Sequence, residues 1–292
     1  MKLPTREGVG PSTVGLPGGK WATVIDFFAE RFPTVERAVW LQRMHDGLVL
    51  DEQALPIAPS AAYRPHTRLY YYRHLSTEPH IPFEAHILFQ DAHLVVVDKP
   101  HFLPTMPAGR YVQETLLVRL KQSLQMDTLA PLHRLDRETA GVTLFAIQPA
   151  ERAAYHALFK QREVHKCYEA IAPWRAEVPP VHRSLIVPGE PFFRFCEAVG
   201  EPNSETHIAL IERLGMWARY QLLPVTGRTH QLRVHMAALD VPIRNDRFYP
   251  QLVHIADDDY RAPLQLLARS IAFTDPVTGQ ARFFESARSL GS

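Results

Sequence analysis

The chain has 292 residues, of which 46% are hydrophobic and 22% are charged, and these ordinary globular proportions exclude disorder as its dominant state. No apolar run is long enough to span a bilayer, residues 1–20 lack a signal-peptide pattern, and cysteine occurs only at Cys167 and Cys196. We therefore expect a soluble protein of a reducing compartment, the cytoplasm, with no membrane attachment.

The charges balance in number but not in residue type. Lys and Arg total 32 against 31 acidic residues, a formal net charge of +1 that argues against a uniformly cationic nucleic-acid binder. Yet 26 of these basic residues are Arg and only 6 are Lys. Arginine binds phosphates with a rigid planar fork, but a genome rich in Arg codons gives the same excess. Composition alone favours the second explanation.

The first 80 residues are predicted to form a tail and a small module. Residues 1–20 are rich in Gly and Pro without a periodic apolar pattern, which predicts a flexible tail. Residues 21–80 are predicted to form a small α/β module, with two short helices on either side of Pro33 and Pro-broken apolar segments after Gly47.

A main domain is expected at residues 81–292. Short apolar runs predict two strands within 86–100 and further strands at 142–147, 168–171, 206–211, 217–223 and 270–274, and helical spacing predicts helices at 113–124, 151–162 and 229–239. Because hairpins and helices both join these strands, the expected fold class is α+β, with a mixed, largely antiparallel central sheet flanked by helices. No glycine-rich phosphate-binding motif occurs, so no nucleotide cofactor is expected.

A first candidate motif, LHRLDRETAG, spans residues 132–141 just before a predicted strand. Arg134 and Arg137 flank Asp136 in this motif, and a nearby guanidinium holds a carboxyl group in its ionised form. Asp136 is thus a candidate anionic nucleophile. The alternative is an aspartate that caps a loop turn between solvated arginines, and the motif taken alone favours that alternative.

Two further motifs carry polar residues on regular elements. In TGRTHQLRVH, residues 226–235, a turn precedes a predicted helix whose free N–H groups, with Arg228 and Arg233, would form a cradle for an anion. Spacing leaves open whether Arg233 faces solvent or a site. In HKCYEA, residues 165–170, Tyr168 lies on a predicted strand, where a core tyrosine with a satisfied hydroxyl is the commoner case.

Fifteen histidines raise a metal hypothesis. The candidate ligand pairs are His133 with Asp136 and His230 with His235, but residues five apart do not share a helical face and no HExxH motif occurs. We therefore expect no metal site.

Taken together, HRLDRETAG, HKCYEA and GRTHQLRVHM resemble the RluA-type branch of RNA pseudouridine synthases, the ribosomal-large-subunit family. The resemblance runs from about His86 to the C-terminus, and ILFQDAHLVVVDKP and IAFTDPVTGQ are similar to that family's opening and closing segments. It implies the pseudouridine synthase catalytic fold at 81–292. It also implies a cofactor-free isomerase that breaks the N1 glycosidic bond of a uridine in structured rRNA or tRNA and rejoins the base through C5. We expect the enzyme to act as a monomer.

The resemblance also implies roles for individual residues. Asp136 is implied to be the catalytic aspartate, acting as a nucleophile at C1′ or a base at C2′, and Arg233 its partner. Tyr168 is implied to stack on the base and to move a proton. Arg134 is expected to fill the gap that the extruded base leaves in the RNA. The other residues expected to bind RNA or to support the site are His133, Arg137, Arg228, His230 and Gln231.

Several positions depart from the family pattern, and two other functions stay open. Ala140 stands where Ser is usual, Leu267 and Asp275 where His is common, and Arg244-Asn245-Asp246 where Leu-Gly-Asp is usual. Residues 21–80 resemble a small RNA-binding module, but residues 21–100 hold 7 basic and 10 acidic side chains, so the module is degenerate. The alternatives are a non-catalytic RNA-binding or ribosome-assembly factor and a His/Asp metal-dependent phosphoesterase.

Charge resolved along the chain supports an RNA partner. Residues 206–247 carry 6 basic and 3 acidic side chains, whereas residues 176–205 carry 2 and 5. The near-zero net charge is therefore the sum of Arg-rich motifs and more acidic segments. This uneven distribution predicts a localised positive groove and not a uniformly basic surface.

Overall fold

The computed structural model describes residues 3–73, 78–254, 256 and 258–291. Within these residues the helices are α1 (Val24–Arg31), α2 (Arg37–His45), α3 (Leu116–Leu124), α4 (Arg152–Gln161) and α5 (Gln231–Ala238). The strands are β1 (Ser12–Gly15), β2 (Val49–Leu50), β3 (Arg68–Tyr71), β4 (His86–Gln90), β5 (Leu94–Lys99), β6 (Ala130–Pro131), β7 (Ala140–Ala146), β8 (His165–Pro173), β9 (Val181–Pro188), β10 (Phe195–Ala198), β11 (Ser204–Leu214), β12 (Trp217–Pro224), β13 (Leu266–Thr274) and β14 (Ala281–Glu285). None of these helices is long and apolar enough to cross a lipid bilayer.

An eleven-stranded sheet organises the chain after β3. Its strand order is β10-β9-β11-β12-β8-β13-β7-β5-β4, with β14 paired to β13 and β6 paired to β7. Neighbouring strands are antiparallel except β13 and β7, which run parallel with Leu267 opposite Ala140. The predicted α+β fold with a mixed, largely antiparallel sheet is therefore confirmed.

The centre of this sheet is covered on both faces. Every residue of β5 and β7 is buried, as expected for strands whose two faces both pack against other elements. Successive residues of a strand point to opposite faces. Val96 accordingly packs in a cluster with Tyr155 of α4, whereas Val97 packs in a cluster with Leu116 of α3.

A glycine allows β7 and β13 to approach each other. Gly141 has a φ of +116°, and a Cβ built on it would lie 2.2 Å from the carbonyl oxygen of Ala268. Only glycine fits this backbone conformation and this contact. The close approach fixes where the loop before β7, which carries Asp136, meets the rest of the sheet.

The N-terminal segment is ordered, so the predicted flexible tail at 1–20 is wrong for the residues that the structure describes. Ser12–Gly15 forms β1 and pairs with β3 in a three-stranded sheet of order β1-β3-β2. Val9 packs against Val112 and Val118 of the main domain. Gly and Pro are frequent in this segment, and a strand of four residues such as β1 is too short to show a periodic apolar pattern.

The small unit around this sheet contains the two predicted helices. Thr23 and Asp26 form a capping box that begins α1. Helices α1 and α2 bury their apolar faces in a cluster rich in aromatic residues, which includes Phe28, Trp40 and Tyr71. This unit therefore has a core of its own, and it draws in residues that precede position 21.

Candidate active site

Asp136 lies in the loop between β6 and β7, and its side chain is 31% exposed. Hydrogen bonds fix the loop backbone next to Asp136. The hydroxyl of Thr105 donates to the carbonyl of Leu135 at 2.8 Å and accepts from the Leu135 N–H at 3.2 Å. A turn follows, in which the N–H of Thr139 donates to the carbonyl of Asp136 at 3.1 Å. The carboxylate is thus presented to solvent by a backbone that is held on both sides.

Lys99, at the end of β5, holds the same loop from beneath. Its fully buried ammonium group donates to the carbonyls of Pro100 at 3.0 Å, Leu103 at 2.8 Å and Arg137 at 3.3 Å. Burial lowers the pKa of Lys99 to about 7, and the negative charges of Glu138 and Asp136 oppose that fall. The side chain therefore joins the strand end to the residue after Asp136.

Arg233 of α5 faces the site and is 1% exposed, which settles the question that helical spacing left open. Its Nη1 donates to Oδ2 of Asp136 at 3.3 Å. Its Nε and Nη2 donate to Asp246 at 2.8 and 2.7 Å. Burial works to lower the pKa of Arg233, but the hydrogen bonds and charge of Asp246 outweigh it and raise that pKa. The guanidinium is a permanent cation beside Asp136.

Asp246 and two aromatic rings complete the surroundings of Arg233. The Asp246 carboxylate also accepts from the N–H groups of Phe248 at 2.8 Å and Tyr249 at 3.1 Å. The guanidinium carbon lies 4.8 Å from the ring centroid of Phe248 and 5.4 Å from that of Tyr249. Cation–π contacts of this kind stabilise a desolvated arginine. The cation has hydrogen-bonded and aromatic partners on several sides.

His230 approaches Oδ2 of Asp136, the same carboxylate oxygen that Arg233 contacts. It is the N-cap of α5, with a left-handed φ of 56°, and its Nε2 lies 3.7 Å from Oδ2 of Asp136. Its Nδ1 is 2.9 Å from the hydroxyl of Tyr249. Burial lowers the pKa of His230, and the charge of Asp136 only partly offsets this effect. The imidazole is therefore neutral at neutral pH.

Tyr168 is half-buried on β8 between Leu222 of β12 and Ala268 of β13. Burial raises the pKa of its phenol well above the usual value, and the negative charge of Asp136 raises it further. Tyr168 is therefore a neutral phenol, close enough to Asp136 to respond to its charge. A carboxylate and a fixed cation are in contact here, and a phenol lies near enough for its pKa to respond to the carboxylate. This arrangement suits nucleophilic or general-base attack by Asp136 with proton transfer near Tyr168.

The other predicted site residues separate into an exposed pair and a buried group. Arg134 and Arg228 are exposed, and Arg228 donates from Nε to the carbonyl of Asn203 at 3.1 Å. Gln231 is 4% exposed and bonds Thr226, Arg228, Glu205 and Thr206. Arg134 and Arg228 can therefore meet a ligand directly, whereas Gln231 fixes the turn before α5.

His133 and Arg137 also point inward. The Nε2 of His133 accepts from the N–H of Leu144 at 3.2 Å, and its ring packs 5.2 Å from Phe159. Burial, with a smaller contribution from the charge of Lys166, lowers the pKa of His133 to about 3. Arg137 bonds Glu138 at 2.6 Å. Both residues therefore make contacts inside the protein that help to hold the Asp136 loop in place.

The sequence profile described as RNA pseudouridylate synthase matches residues 93–238, a range that contains Asp136, Tyr168 and Arg233. A dual-specificity RNA pseudouridine synthase RluA of Salmonella typhimurium is 35% identical over 208 residues, which cover 68% of this chain and 91% of that protein. The chain belongs to the RNA pseudouridine synthase family. It is an RluA-type enzyme, and the non-catalytic alternative is not favoured.

Other relatives agree with this assignment. An RNA pseudouridine synthase of Synechocystis is 28% identical over 232 residues, covering 77% of this chain and 79% of that protein. Among solved structures, human RNA Pseudouridylate Synthase Domain Containing 1 superposes with a TM-score of 0.58 at 22% identity, covering 73% of this chain and 86% of that one. The latter likeness concerns the fold. The chain is thus a pseudouridine synthase in both sequence and architecture.

Sequence reasoning missed several residues of this pseudouridine synthase site. Asp246 was noted only as part of a departure from the family pattern, although it is the main partner of Arg233. Thr105 and Tyr249 carried no signal at all. Lys99 is named in the sequence analysis only by its place in the segment ILFQDAHLVVVDKP. The signal that could have found it is a lysine close behind the apolar run at residues 94–97, because lysine is rarely buried without partners.

A group of possible metal ligands lies outside the pairs considered from sequence. In the part of the chain that the structure describes, ligand atoms of His182, Glu197 and His235 lie within 4.8 Å of one another. His182 Nε2 is 2.7 Å from Glu197, and both nitrogens of His235 contact hydroxyl groups, Nδ1 that of Thr206 and Nε2 that of Ser204, each at 2.9 Å. These contacts engage both nitrogens of His235 and one nitrogen of His182 in a hydrogen-bond network between α5 and the sheet.

Proposed function

We propose that Asp136 is the catalytic aspartate of this pseudouridine synthase, with Arg233 as its cationic partner. The observation that carries the proposal is the 3.3 Å contact between Arg233 Nη1 and Asp136 Oδ2, which joins two motifs 97 residues apart. A permanent, buried cation in contact with the carboxylate holds Asp136 in place for attack at C1′ or proton removal at C2′.

The proposed reaction is an isomerisation in which no atom enters from a cofactor. The bond from N1 of uracil to C1′ breaks, the base turns, and a bond from C5 to C1′ forms. The C5 proton is then lost, and N1 gains one. Tyr168 is proposed to stack on the turning base, and its phenol, kept protonated by burial and by the charge of Asp136, to take part in this proton movement.

The exposed arginines are proposed to bind the RNA. A uridine in structured RNA has to leave its stack before its glycosidic bond is reachable. Arg134, exposed two residues before Asp136, is proposed to fill the vacated position, and Arg228 to bind phosphate. His230 is proposed to line the RNA-binding pocket, with His133, Arg137 and Gln231 as its internal supports.

The proposed substrate is a uridine of rRNA or tRNA, and the proposed catalytic domain is residues 81–292. The N-terminal unit, proposed from sequence at 21–80, is a degenerate RNA-binding module whose structure begins with β1. We further propose a monomer that works in the cytoplasm.

The test uses purified protein with rRNA and tRNA from a strain that lacks its gene. We expect conversion of uridine to a carbodiimide-reactive product with chelator present and no cofactor added. Asp136→Asn is expected to abolish conversion and keep RNA affinity within about threefold, since it removes a charge but little volume. Conversion by Asp136→Asn, or none by the wild-type protein, would overturn the proposal. Chelator-sensitive hydrolysis of phosphoesters, without conversion of uridine, would support the phosphoesterase class instead.

A further inference from the structure

Two adjacent phenylalanines at one end of the large sheet are exposed. Phe192 and Phe193 lie in the loop between β9 and β10, with 87% and 36% of their surfaces exposed. Exposed rings of this size forgo the stabilisation that burial gives, and adjacent ones mark a surface that binds something. The loop is therefore a candidate binding element.

Aromatic contacts connect this loop to the active site. The ring of Phe192 lies 5.5 Å from that of Phe193, and Phe193 lies 5.3 Å from Phe248. Phe248 in turn lies 5.6 Å from His230, whose Nε2 is 3.7 Å from Asp136. Each ring distance is within the range of direct aromatic contact. A continuous row of rings thus starts beside Asp136 and ends in solvent.

The charges around the loop are mixed. Arg194 donates to the carbonyl of Pro250 at 2.9 Å, and its guanidinium lies 5.2 Å from the ring centroid of Tyr249. Glu190 is exposed in the same loop. A phosphate-binding surface would not place a carboxylate here. The loop therefore suits a neutral, flat ligand group, with Arg194 fixing the loop to the segment after Tyr249.

We propose that Phe192 and Phe193 form a stacking platform for an unpaired base next to the target uridine in the RNA substrate. This inference rests on the proposed function. Flipping a uridine leaves its neighbours without a stacking partner, and an aromatic face replaces that partner whatever the base identity. The platform continues the ring row outward from the site, so it meets the strand that carries the flipped nucleotide.

The test compares Phe192→Ala and Phe192→Trp with a matched control, Phe283→Ala. Phe283 is 64% exposed on β14, and four strands of the sheet separate β10 from β13, the partner of β14. With RNA from the gene-deletion strain, we expect Phe192→Ala to raise KM about 5- to 100-fold and change kcat less than about threefold. Phe192→Trp is expected to restore KM, and Phe283→Ala to leave it unchanged.

Salt dependence separates stacking from phosphate binding. Log affinity for the same RNA, plotted against log salt, should keep its slope in Phe192→Ala, whereas the slope should become shallower by about 0.7–0.9 in Arg228→Gln. A wild-type KM in Phe192→Ala, or an equal effect of Phe283→Ala, would overturn the platform while the proposed function stood. A wild-type dimer that Phe192→Ala dissociates would also overturn it, because the loop would then bind a second copy. Absence of product from wild-type protein would instead refute the function.

Discussion

Asp246 binds Arg233 through two hydrogen bonds, at 2.8 Å from Nε and 2.7 Å from Nη2, and both side chains are 1% exposed. Two of the three guanidinium nitrogens are thereby fixed, and Nη1 is left to reach Asp136. A planar, rigid fork held on one edge cannot turn its other edge away. Asp246 therefore acts on Asp136 through Arg233, as a positioning residue.

Asp246→Asn is the first prediction. The substitution removes the charge that pairs with Arg233, and breaking one side of a buried ion pair costs about 3–5 kcal/mol of unfolding free energy. We expect kcat to fall about 100-fold, because a small misplacement of a catalytic group costs that much, with KM changed less. Chemical denaturation and steady-state kinetics measure both quantities.

Glu205→Gln is the matched control for this prediction. Its partner Arg183 is 58% exposed, and exposed ion pairs contribute about 0–1 kcal/mol. We expect this variant to keep the wild-type kcat. Should Asp246→Asn match Glu205→Gln in both measurements, Arg233 would not depend on Asp246 for its position.

Tyr168→Phe is the second prediction. It keeps the ring for stacking and removes the hydroxyl, so RNA affinity should change less than about threefold, while conversion should slow by about 10²–10⁴-fold if the phenol moves a proton. Because burial and Asp136 raise the pKa of Tyr168, deprotonation of this phenol should not reduce wild-type activity between about pH 7 and 10. Single-turnover rates across that range test both statements.

The control for Tyr168→Phe is Tyr220→Phe on the neighbouring strand. Tyr220 donates its hydroxyl to the carbonyl of Pro173 at 3.0 Å, a structural hydrogen bond. Its loss should cost about 1 kcal/mol of stability and leave conversion intact. A wild-type rate in Tyr168→Phe would restrict that residue to stacking.

Much of the fold was predictable because its elements have strong periodicity. The two strands within 86–100 and the helices at 113–124 and 151–162 are present within a few residues of the predicted bounds. Strands β9, β10 and β14 were not predicted. Proline, glycine and charged residues interrupt their short apolar runs, and only pairing with neighbouring strands defines them.

The site was predictable where chemistry lies in a motif and unpredictable where it depends on folding. Asp136, Tyr168 and Arg233 all stand in recognisable motifs, and Arg233 contacts Asp136. Asp246 and Thr105 contact the site because loops that are distant in sequence converge on it. The spacing of residues along the chain does not reveal this convergence. Sequence also could not show that Gln231 and His133 direct polar groups to protein partners, among them the Glu205 carbonyl for Gln231 and the Leu144 N–H for His133.

Gly141→Ala is the third prediction. The added Cβ would lie 2.2 Å from the Ala268 carbonyl, at a φ that L-residues rarely adopt, so β7 and β13 would have to separate. We expect a loss of about 2–4 kcal/mol in unfolding free energy, together with lower activity. Gly215→Ala is the control. It also has a positive φ, of +67°, but its Cβ meets nothing within 4 Å, so a smaller loss is expected there. Equal losses would show that backbone strain, and not the strand contact, requires Gly141.

Lys99→Met, the fourth prediction, tests the buried lysine that contacts the Asp136 loop. Burial lowers the pKa of Lys99 to about 7 in the folded chain, whereas an unfolded lysine titrates near 10.5. Between these values the unfolded state binds one more proton, so the unfolding free energy rises with pH, by at most about 1.4 kcal/mol per unit from this group. This pH-dependent increase in unfolding free energy is lost as pH falls towards 7.

Methionine does not titrate, so the difference in unfolding free energy between wild type and Lys99→Met should move in favour of wild type as pH rises from about 7 to 10. Denaturation at several pH values measures it. Because Lys99 also holds the Arg137 carbonyl, Lys99→Met should reduce kcat throughout this range, and Lys99→Arg should restore it only if its fork reaches the same carbonyls. A pH-independent difference would mean that Lys99 keeps an ordinary pKa, with its three carbonyl contacts offsetting the cost of burial.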